Sequence, residues 1–140
     1  MSEPRELSCE RSGRRFGPLE LRMPADPHLV SAIRLTASAV AAAGKCTIAE
    51  IGDVKLAISE VLLALIEHGS GRELSVSIEL ADSTFAISGS TETLTFDRSH
   101  PDLALCDTVL AEVSRAHSIE LVGSELCIIA DVHLSRSDDR

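Results

Sequence analysis

The stretch from Thr47 to Gly69 constrains the fold most, because it predicts one long helix. Thr47 and Glu50 have the spacing of a capping box, in which each side chain satisfies a free backbone amide at the start of a helix. Gly69 follows the apolar pattern, and glycine is the residue that commonly follows the end of a helix. The sequence therefore predicts a largely buried helix of about 20 residues. Its core-facing residues, three and four positions apart, are Ile51, Val54, Ile58, Val61, Leu62 and Leu65.

The rest of the sequence alternates between strand-like and helix-like patterns. Apolar residues with period two indicate strands, and apolar residues three and four apart indicate helices. Asp26 and Pro27 are favoured at a helix start, and Leu94 and Phe96 are expected to extend the sheet. This order predicts an α+β two-layer sandwich, with helices on one face of a mixed, mostly antiparallel sheet. The predicted elements are a strand at 19–23, a helix from 27 to about 44, strands at 74–80 and 84–88, a helix at 103–116, and strands at 117–122 and 126–134.

The chain is predicted to form one domain. Its 140 residues are 44% hydrophobic, which is enough for a single core that buries about two thirds of the unfolded surface. Residues 1–15 are polar and charged without a period, which predicts a mobile amino-terminal arm, and residues 135–140 predict a mobile tail. The domain is therefore expected at residues 16–134.

An acidic net charge limits the partners of this chain. The formal net charge is -9, so nucleic-acid phosphates and anionic membranes would be repelled. The sequence contains no apolar run long enough to span a membrane. Its amino terminus, with Glu3 and Pro4, lacks the basic and apolar segments of an export signal. We expect a cytoplasmic protein that contacts neither nucleic acid nor membrane.

The cysteines and histidines show no metal-binding pattern. The four cysteines are scattered, without a Cys-x-x-Cys pair. Reduced thiols are the first interpretation, and a disulfide or a zinc site is the alternative. His28, His100, His117 and His133 have no spacing typical of metal ligands, so no metal site is predicted.

Four residues of the long helix carry a resemblance to a known family. Ser59 and Glu60 are followed, at the helix end, by His68 and Gly69. This arrangement resembles the ATP-site helix of the anti-sigma-factor serine kinases, in the histidine-kinase-like (Bergerat-type) ATPase superfamily. In that family an Asn stands four residues after the Glu, and in this sequence Ala64 stands there. The helix is thus similar to one from a nucleotide site that has lost a required residue.

The resemblance implies which chemistry is lost at Ala64. In the family the Glu orients or deprotonates the attacking group, and the Asn oxygen holds the magnesium that bridges the phosphates. A methyl group cannot hold a metal, and phosphoryl transfer depends mainly on positioning and charge neutralisation. Glu67 is not a simple replacement, because it lies about 4.5 Å further along the helix axis. Glu60 would then remain as a vestigial general base.

Two further sequence boxes of that family are also altered. The second box is an Asp followed by glycines, whose carboxylate binds adenine, but the stretch 87–92 contains no Asp. The third is a glycine-rich turn that cradles phosphate at a helix start. The stretch 101–105 has no glycine, Asp102 would repel phosphate, and Leu103 and Leu105 would crowd it. The former nucleotide-site positions are therefore predicted to be Glu60, Ala64, Glu67, His68, Ser88 and Gly89.

The resemblance implies the histidine-kinase-like ATPase fold and a regulator that acts through proteins. The leading hypothesis is an anti-sigma-factor-like, protein-binding domain that has lost ATP binding and kinase activity, so no cofactor is expected. Its partners would be a sigma factor or an anti-anti-sigma protein, and family members commonly form homodimers through their sheets. The alternative is an active serine/threonine kinase that uses ATP and magnesium to phosphorylate an anti-anti-sigma factor. A structural or dimerisation module unrelated to transcription is the third hypothesis.

Arg34 and His68 each have a functional and a structural interpretation. The stretch from Pro27 to Arg34 matches the family's opening helix, which helps to contact the sigma factor, so Arg34 is the candidate partner-binding residue. The alternative is a solvated arginine on an amphipathic helix. His68 is favoured by the dipole at a helix carboxyl end whether or not a ligand is near.

Overall fold

The computed structural model describes residues 15–135 of the chain. A short 3-10 helix, Pro27–Leu29, leads into the first α-helix. The predicted arm and tail lie outside the described residues, except for Arg15 and Ser135. The strands of the described part are β1 (Arg15–Pro24), β2 (Glu73–Ala81), β3 (Thr84–Glu92), β4 (Ala116–Val122) and β5 (Glu125–His133), and its α-helices are α1 (Val30–Ala43), α2 (Ile48–His68) and α3 (Pro101–Val113).

The two residues at the edges of this described part are both engaged in the fold. Arg15 belongs to β1 and pairs with Ala81 of β2. The Ser135 amide donates to Glu50 Oε2 at 2.6 Å. The described part of the chain therefore includes one residue of the predicted arm and one of the predicted tail.

The five described strands form one sheet in the order β1-β2-β3-β5-β4. All four neighbouring pairs are antiparallel, so the predicted mixed sheet is corrected to an antiparallel one. The reason is the position of β5. It lies between β3 and β4, so these two strands, which run in the same direction, do not form a parallel pair. The predicted α+β two-layer fold is confirmed.

The helices cover one face of the sheet, and the core lies between the two layers. Alternate residues of β2, β3 and β5 are buried beneath the helices, as expected for strands with one covered face. Within residues 15–135, no helix is long and apolar enough to cross a membrane. The largest fully buried side chains come from both layers: Phe85, Ile58, Leu62, Leu65, Leu74, Ile78, Leu80, Ile87, Leu103, Leu110, Leu126 and Ile128.

Local signals set both ends of α2. Thr47 Oγ1 accepts from the Glu50 amide at 3.1 Å, and Glu50 Oε1 accepts from the Thr47 amide at 2.8 Å, so the predicted capping box is formed. The Gly69 amide donates to the Leu65 carbonyl at 2.9 Å, and the helix ends there. A Cβ on Gly69 would lie 2.7 Å from that carbonyl oxygen. Glycine is therefore the residue that fits this close approach.

The end of β3 differs from the prediction. The strand continues to Glu92, because its last residues pair with β5. Leu94 does not extend the sheet. It is 90% exposed, and its amide donates to the Ser70 side chain. β3 pairs with β5 as far as Glu92, which lies opposite the first residue of β5, and Phe96 packs against the core from the loop that follows.

Candidate functional site

One side of α2 carries Glu60, Ala64 and Glu67. Spacings of three and four residues place these side chains on the same side of a helix. Their exposure differs: Ala64 is 6% exposed, Glu60 is partly buried and Glu67 is exposed. The Ala64 methyl group is therefore packed within the protein and offers no polar atom to a ligand.

Glu60 lies in a desolvated environment next to α3. Burial raises the pKa of its carboxyl group, and the negative charge of Glu67 raises it further. The thiol of Cys106 on α3 lies 4.0 Å from the Glu60 backbone carbonyl oxygen. Burial first, and then the charge of Glu60, raises the pKa of Cys106 to about 12. Glu60 thus belongs to the contact zone between α2 and α3.

A cleft of about 450 Å³ lies where α2 ends and α3 begins. Its walls are the last residues of α2, the turn after them, the loop after β3 and the first turn of α3. Of the predicted nucleotide positions it contains Glu67 and His68, whereas Glu60 and Ala64 lie outside its walls. The lining residues are Glu67, His68, Gly69, Ser70, Thr95, Phe96, Asp97, His100 and Asp102.

The charged groups of this cleft are mainly acidic. Glu67, Asp97 and Asp102 contribute carboxylates, and neither Lys nor Arg is among the lining residues. Hydrogen bonds from the Ser99 side chain and amide lower the pKa of Asp97, so this carboxylate is ionised at neutral pH. The only other titratable lining groups are two histidines. A polyphosphate would be repelled here, whereas a cation would be attracted.

The start of α3, where the resemblance places phosphate-binding glycines, is capped from within the chain. His100 Nδ1 accepts a hydrogen bond from the Asp102 amide at 3.1 Å, and Pro101 has no amide hydrogen to offer. Leu103 is fully buried and does not crowd the helix start, contrary to expectation, whereas Leu105 is 64% exposed. One amide that a phosphate would use is therefore already engaged.

Ser88 and Gly89 do not join the cleft. Consecutive strand residues point to opposite faces of a sheet. Gly89 faces α2, where a Cβ would lie 2.6 Å from Leu65 Cδ1 and 3.3 Å from Val61 Cγ1. Ser88 is directed away from α2, into a groove on the open face of the sheet. The pleat thus separates Ser88 from the predicted positions on α2, while Gly89 allows α2 to approach β3 closely.

Arg34 is held against α2. Its Nη1 donates to Ser59 Oγ at 3.1 Å, and Ser59 donates in turn to the Lys55 carbonyl at 2.8 Å. A guanidinium group has five N–H donors, so one such bond leaves others for a partner. This bond gives Arg34 a link between α1 and α2, which differs from the solvated arginine of the alternative interpretation and is compatible with a role in binding.

The family of the chain follows from comparison with known proteins. Residues 23–109 match the model of the histidine kinase-like ATPase domain. The match covers more than half of the chain and includes α2, β3 and the start of α3. The chain belongs to the histidine kinase-like ATPase domain family.

Two curated proteins with similarity to this histidine kinase-like ATPase domain are kinases by name. The chain is 29% identical over 91 residues to serine-protein kinase RsbW of Bacillus subtilis (strain 168). It is 28% identical over 91 residues to serine-protein kinase RsbW of Bacillus velezensis. Each match covers 61% of this chain and 57% of the relative, so the chain spans somewhat more than half the length of these relatives.

Solved structures share the fold of this histidine kinase-like ATPase domain. The RsbU and RsbW domains of Rv1364c from Mycobacterium tuberculosis superpose with a TM-score of 0.64 at 20% identity, over 86% of this chain and 33% of that chain. The SiaB-SiaC complex from Pseudomonas aeruginosa gives 0.61 at 14% identity, over 94% of this chain and 100% of that chain. At these identities the likeness shows the α+β fold.

The structure of this ATPase domain also joins residues that no sequence motif connects. His68 and His100 lie far apart in the sequence, yet their ring centroids are 4.9 Å apart with an interplanar angle of 68°. His100 had no predicted role, because metal and catalytic motifs are recognised by short spacings. The usable signal was its position directly before the third sequence box, at a predicted helix start.

Proposed function

We propose that this chain is an anti-sigma-factor-like regulator that binds protein partners and has lost ATP binding and kinase activity. The observation that carries the proposal is the acidic cleft between α2 and α3. Bound phosphates are stabilised by cationic groups, by a metal ion or by free backbone amides. At this junction the acidic side chains of Glu67, Asp97 and Asp102 line the cleft, together with two histidines and no Lys or Arg.

The missing magnesium ligand supports the same proposal. Ala64, at the position where the resemblance requires Asn, is 6% exposed and has no ligand atom. Glu67 is exposed and lies almost one turn further along α2. We therefore expect neither ATP nor magnesium as a cofactor.

Protein binding is the function that the domain can perform without nucleotide. By resemblance, the partner is a sigma factor or an anti-anti-sigma protein. The opening helix offers the guanidinium of Arg34 and the side chain of Leu35, which is 71% exposed. A cation next to an exposed apolar side chain suits a partner surface that combines a carboxylate with an apolar contact.

A homodimer is part of the proposal. The face of the sheet opposite the helices carries Ile129, which is 44% exposed, near small side chains such as Ser77 and Ser88. Dimerisation through this face would remove Ile129 from water. Light scattering measures the mass in solution, and Ile129→Lys should lower the dimer fraction. A monomer at every concentration would contradict this part of the proposal.

An active serine/threonine kinase is the second candidate, and Glu60 is the observation that favours it. A general base is most effective when its pKa lies near the working pH, and burial raises the pKa of Glu60. The curated relatives are also named serine-protein kinases. This candidate requires ATP and magnesium to bind without the Asn, the Asp and the glycine turn.

Calorimetry with magnesium-ATP separates the two candidates. We expect a dissociation constant no tighter than about 1 mM. Micromolar binding, or nucleotide retained through purification, would overturn the loss of ATP binding. A second assay incubates the protein with labelled ATP and candidate anti-anti-sigma proteins. Phosphate transfer that disappears in Glu60→Ala would establish the kinase.

Partner binding is tested without nucleotide. We expect the chain to form a stoichiometric complex with a sigma factor or an anti-anti-sigma protein from its host, as measured by size-exclusion chromatography of the mixed proteins. Failure to bind any host protein of these two classes would contradict the regulator proposal.

A further inference from the structure

Three side chains with metal-binding atoms converge in the cleft between α2 and α3. His68, His100 and Asp102 each offer one ligand atom, and these atoms all lie within 4.8 Å of one another. No other group of three or more His, Cys, Asp or Glu residues with this geometry occurs in residues 15–135. The cluster forms only in the folded chain, because His68 ends α2 and the other two residues start α3.

We infer that this cleft binds a divalent cation of the zinc class through His68, His100 and Asp102. Two imidazoles and one carboxylate, with a fourth position open to water or another ligand, form a common zinc ligand set. Imidazole ligands also suit cobalt, nickel and copper, whereas magnesium and calcium prefer oxygen ligands alone. The inference does not depend on the partner proposed above.

The electrostatic surroundings favour a cation at this position. Glu67 Oε1 lies 3.9 Å from His68 Nε2, and Asp97 adds a second carboxylate to the lining. His68 also lies at the carboxyl end of α2, where the helix dipole attracts positive charge. The dipole at the amino end of α3 repels positive charge, and the negative charge of Asp102 offsets this repulsion. No cationic side chain other than histidine lines the cleft.

The backbone already holds the ligand residues near their positions. The His68 side chain is 11% exposed, and its carbonyl accepts from Thr93 Oγ1 at 3.2 Å. The His100 amide donates to the Asp97 carbonyl at 3.1 Å. Tetrahedral zinc with bonds of about 2.1 Å separates its ligand atoms by about 3.4 Å. The ligand atoms of the three residues lie up to 4.8 Å apart, so the most distant pair must approach by up to about 1.4 Å. Side-chain rotation in the open cleft can supply this movement.

Metal binding would compete with one hydrogen bond of the cap of α3. His100 Nδ1 accepts from the Asp102 amide at 3.1 Å, so in the neutral ring Nε2 carries the proton. Coordination through Nδ1 replaces that hydrogen bond, and coordination through Nε2 moves the ring proton to Nδ1. His100→Asn would keep a side-chain acceptor for the cap and remove the imidazole.

Cobalt titration of the full chain, freed of metal with a chelator, tests the inference. We expect visible bands of tetrahedral cobalt that zinc abolishes and magnesium does not, and a rise in the unfolding temperature with zinc. His68→Gln, His100→Asn and Asp102→Asn should each raise the dissociation constant by at least about tenfold. The control His133→Gln, at an exposed position of β5, should leave it unchanged.

Three results would overturn the inference. One is a dissociation constant for cobalt that is the same in the wild type and in all three ligand variants. Another is intense thiolate-to-cobalt charge-transfer absorption, which would assign the metal to cysteine. The third is the absence of both bands and thermal shift at millimolar metal. Circular dichroism checks the fold of each variant, and His100→Asn, at a partly exposed position, provides the test if His68→Gln does not fold.

Discussion

Arg34 Nη1 on α1 donates a hydrogen bond to Ser59 Oγ on α2 at 3.1 Å, where Ser59 is 8% exposed. Ser59 donates in turn to the Lys55 carbonyl at 2.8 Å. This link joins the candidate partner-binding helix to the helix that carries Glu60 and Ala64, two of the predicted nucleotide-site positions. The structural and recognition roles of Arg34 can therefore be separated by changing either end of the bond.

Ser59→Ala should lower the free energy of unfolding by about 0.5–1.5 kcal/mol, because the part-buried hydrogen bonds of Ser59 with Arg34 and with the Lys55 carbonyl are both lost. Its partner affinity should be nearly unchanged, since the guanidinium remains. Arg34→Ala should lower stability by a similar amount and also weaken partner binding. Urea unfolding and calorimetry with the partner measure the two effects. Equal partner affinities for the two variants would assign Arg34 a structural role alone.

Glu60→Gln should make the protein more stable near neutral pH. Burial and the charge of Glu67 raise the pKa of Glu60 in the folded state above its ordinary value, so the ionised carboxylate destabilises the fold at higher pH. This penalty grows as pH rises from the unfolded pKa of about 4.3 through the folded pKa, and it is absent below that range. We expect a gain of no more than about 1 kcal/mol.

Urea unfolding at several pH values measures this effect. Glu112→Gln is the matched control, because it changes an exposed carboxylate of α3. A Glu60→Gln variant that is less stable than wild type near neutral pH would show that the ionised carboxylate has a favourable partner.

Ala64→Asn should not restore magnesium-ATP binding. The change supplies the missing ligand type, but the acidic cleft is unaltered, and a polar amide would replace a methyl group that is 6% exposed in wild type. We expect a loss of about 1–3 kcal/mol in unfolding free energy, the usual cost of burying an unsatisfied polar group. Calorimetry measures the affinity for magnesium-ATP, and urea unfolding measures the free energy of unfolding. Submillimolar magnesium-ATP affinity in this variant would contradict the prediction.

Gly69→Ala and Gly52→Ala should have opposite effects on stability. A Cβ on Gly69 would lie 2.3 Å from Thr91 Cγ2 and 2.7 Å from the Leu65 carbonyl oxygen. Relieving such contacts costs about 1–3 kcal/mol. A Cβ on Gly52, within α2, would meet nothing within 4 Å, so alanine should stabilise the helix by up to about 1 kcal/mol. Thermal unfolding compares the pair, and a stabilised Gly69→Ala would be inconsistent with this packing.

Cys106 should resist alkylation in the folded protein. It is 3% exposed, and its pKa is raised to about 12. At about pH 8 such a thiol is only about 0.01% thiolate, the reactive form. Cys127 is more exposed than Cys106 and should react before it. Mass spectrometry after iodoacetamide treatment gives the order, with unfolded protein as the control. Equal rates in the folded protein would indicate that α3 opens readily.

The sequence by itself determined the elements whose signals act over short distances. The capping box of Thr47 and Glu50 and the stop at Gly69 predicted α2 to within a residue or two of its observed ends. Asp26 marked the entry to α1, and period-two alternation predicted the strands that form β2 and β3. Each of these signals depends on backbone geometry within a few residues, so the neighbouring residues are enough to identify it.

Only the tertiary structure decided the strand order and the composition of the cleft. It placed β5 between β3 and β4, directed Ser88 to the open face of the sheet and brought His68 next to His100. These arrangements depend on strand pairing and packing between segments that are distant in the chain. Local residue patterns do not specify which strands pair or which helix ends meet, because many arrangements satisfy the same periodicity. The arrangement that forms is the one that buries all the apolar faces in one core.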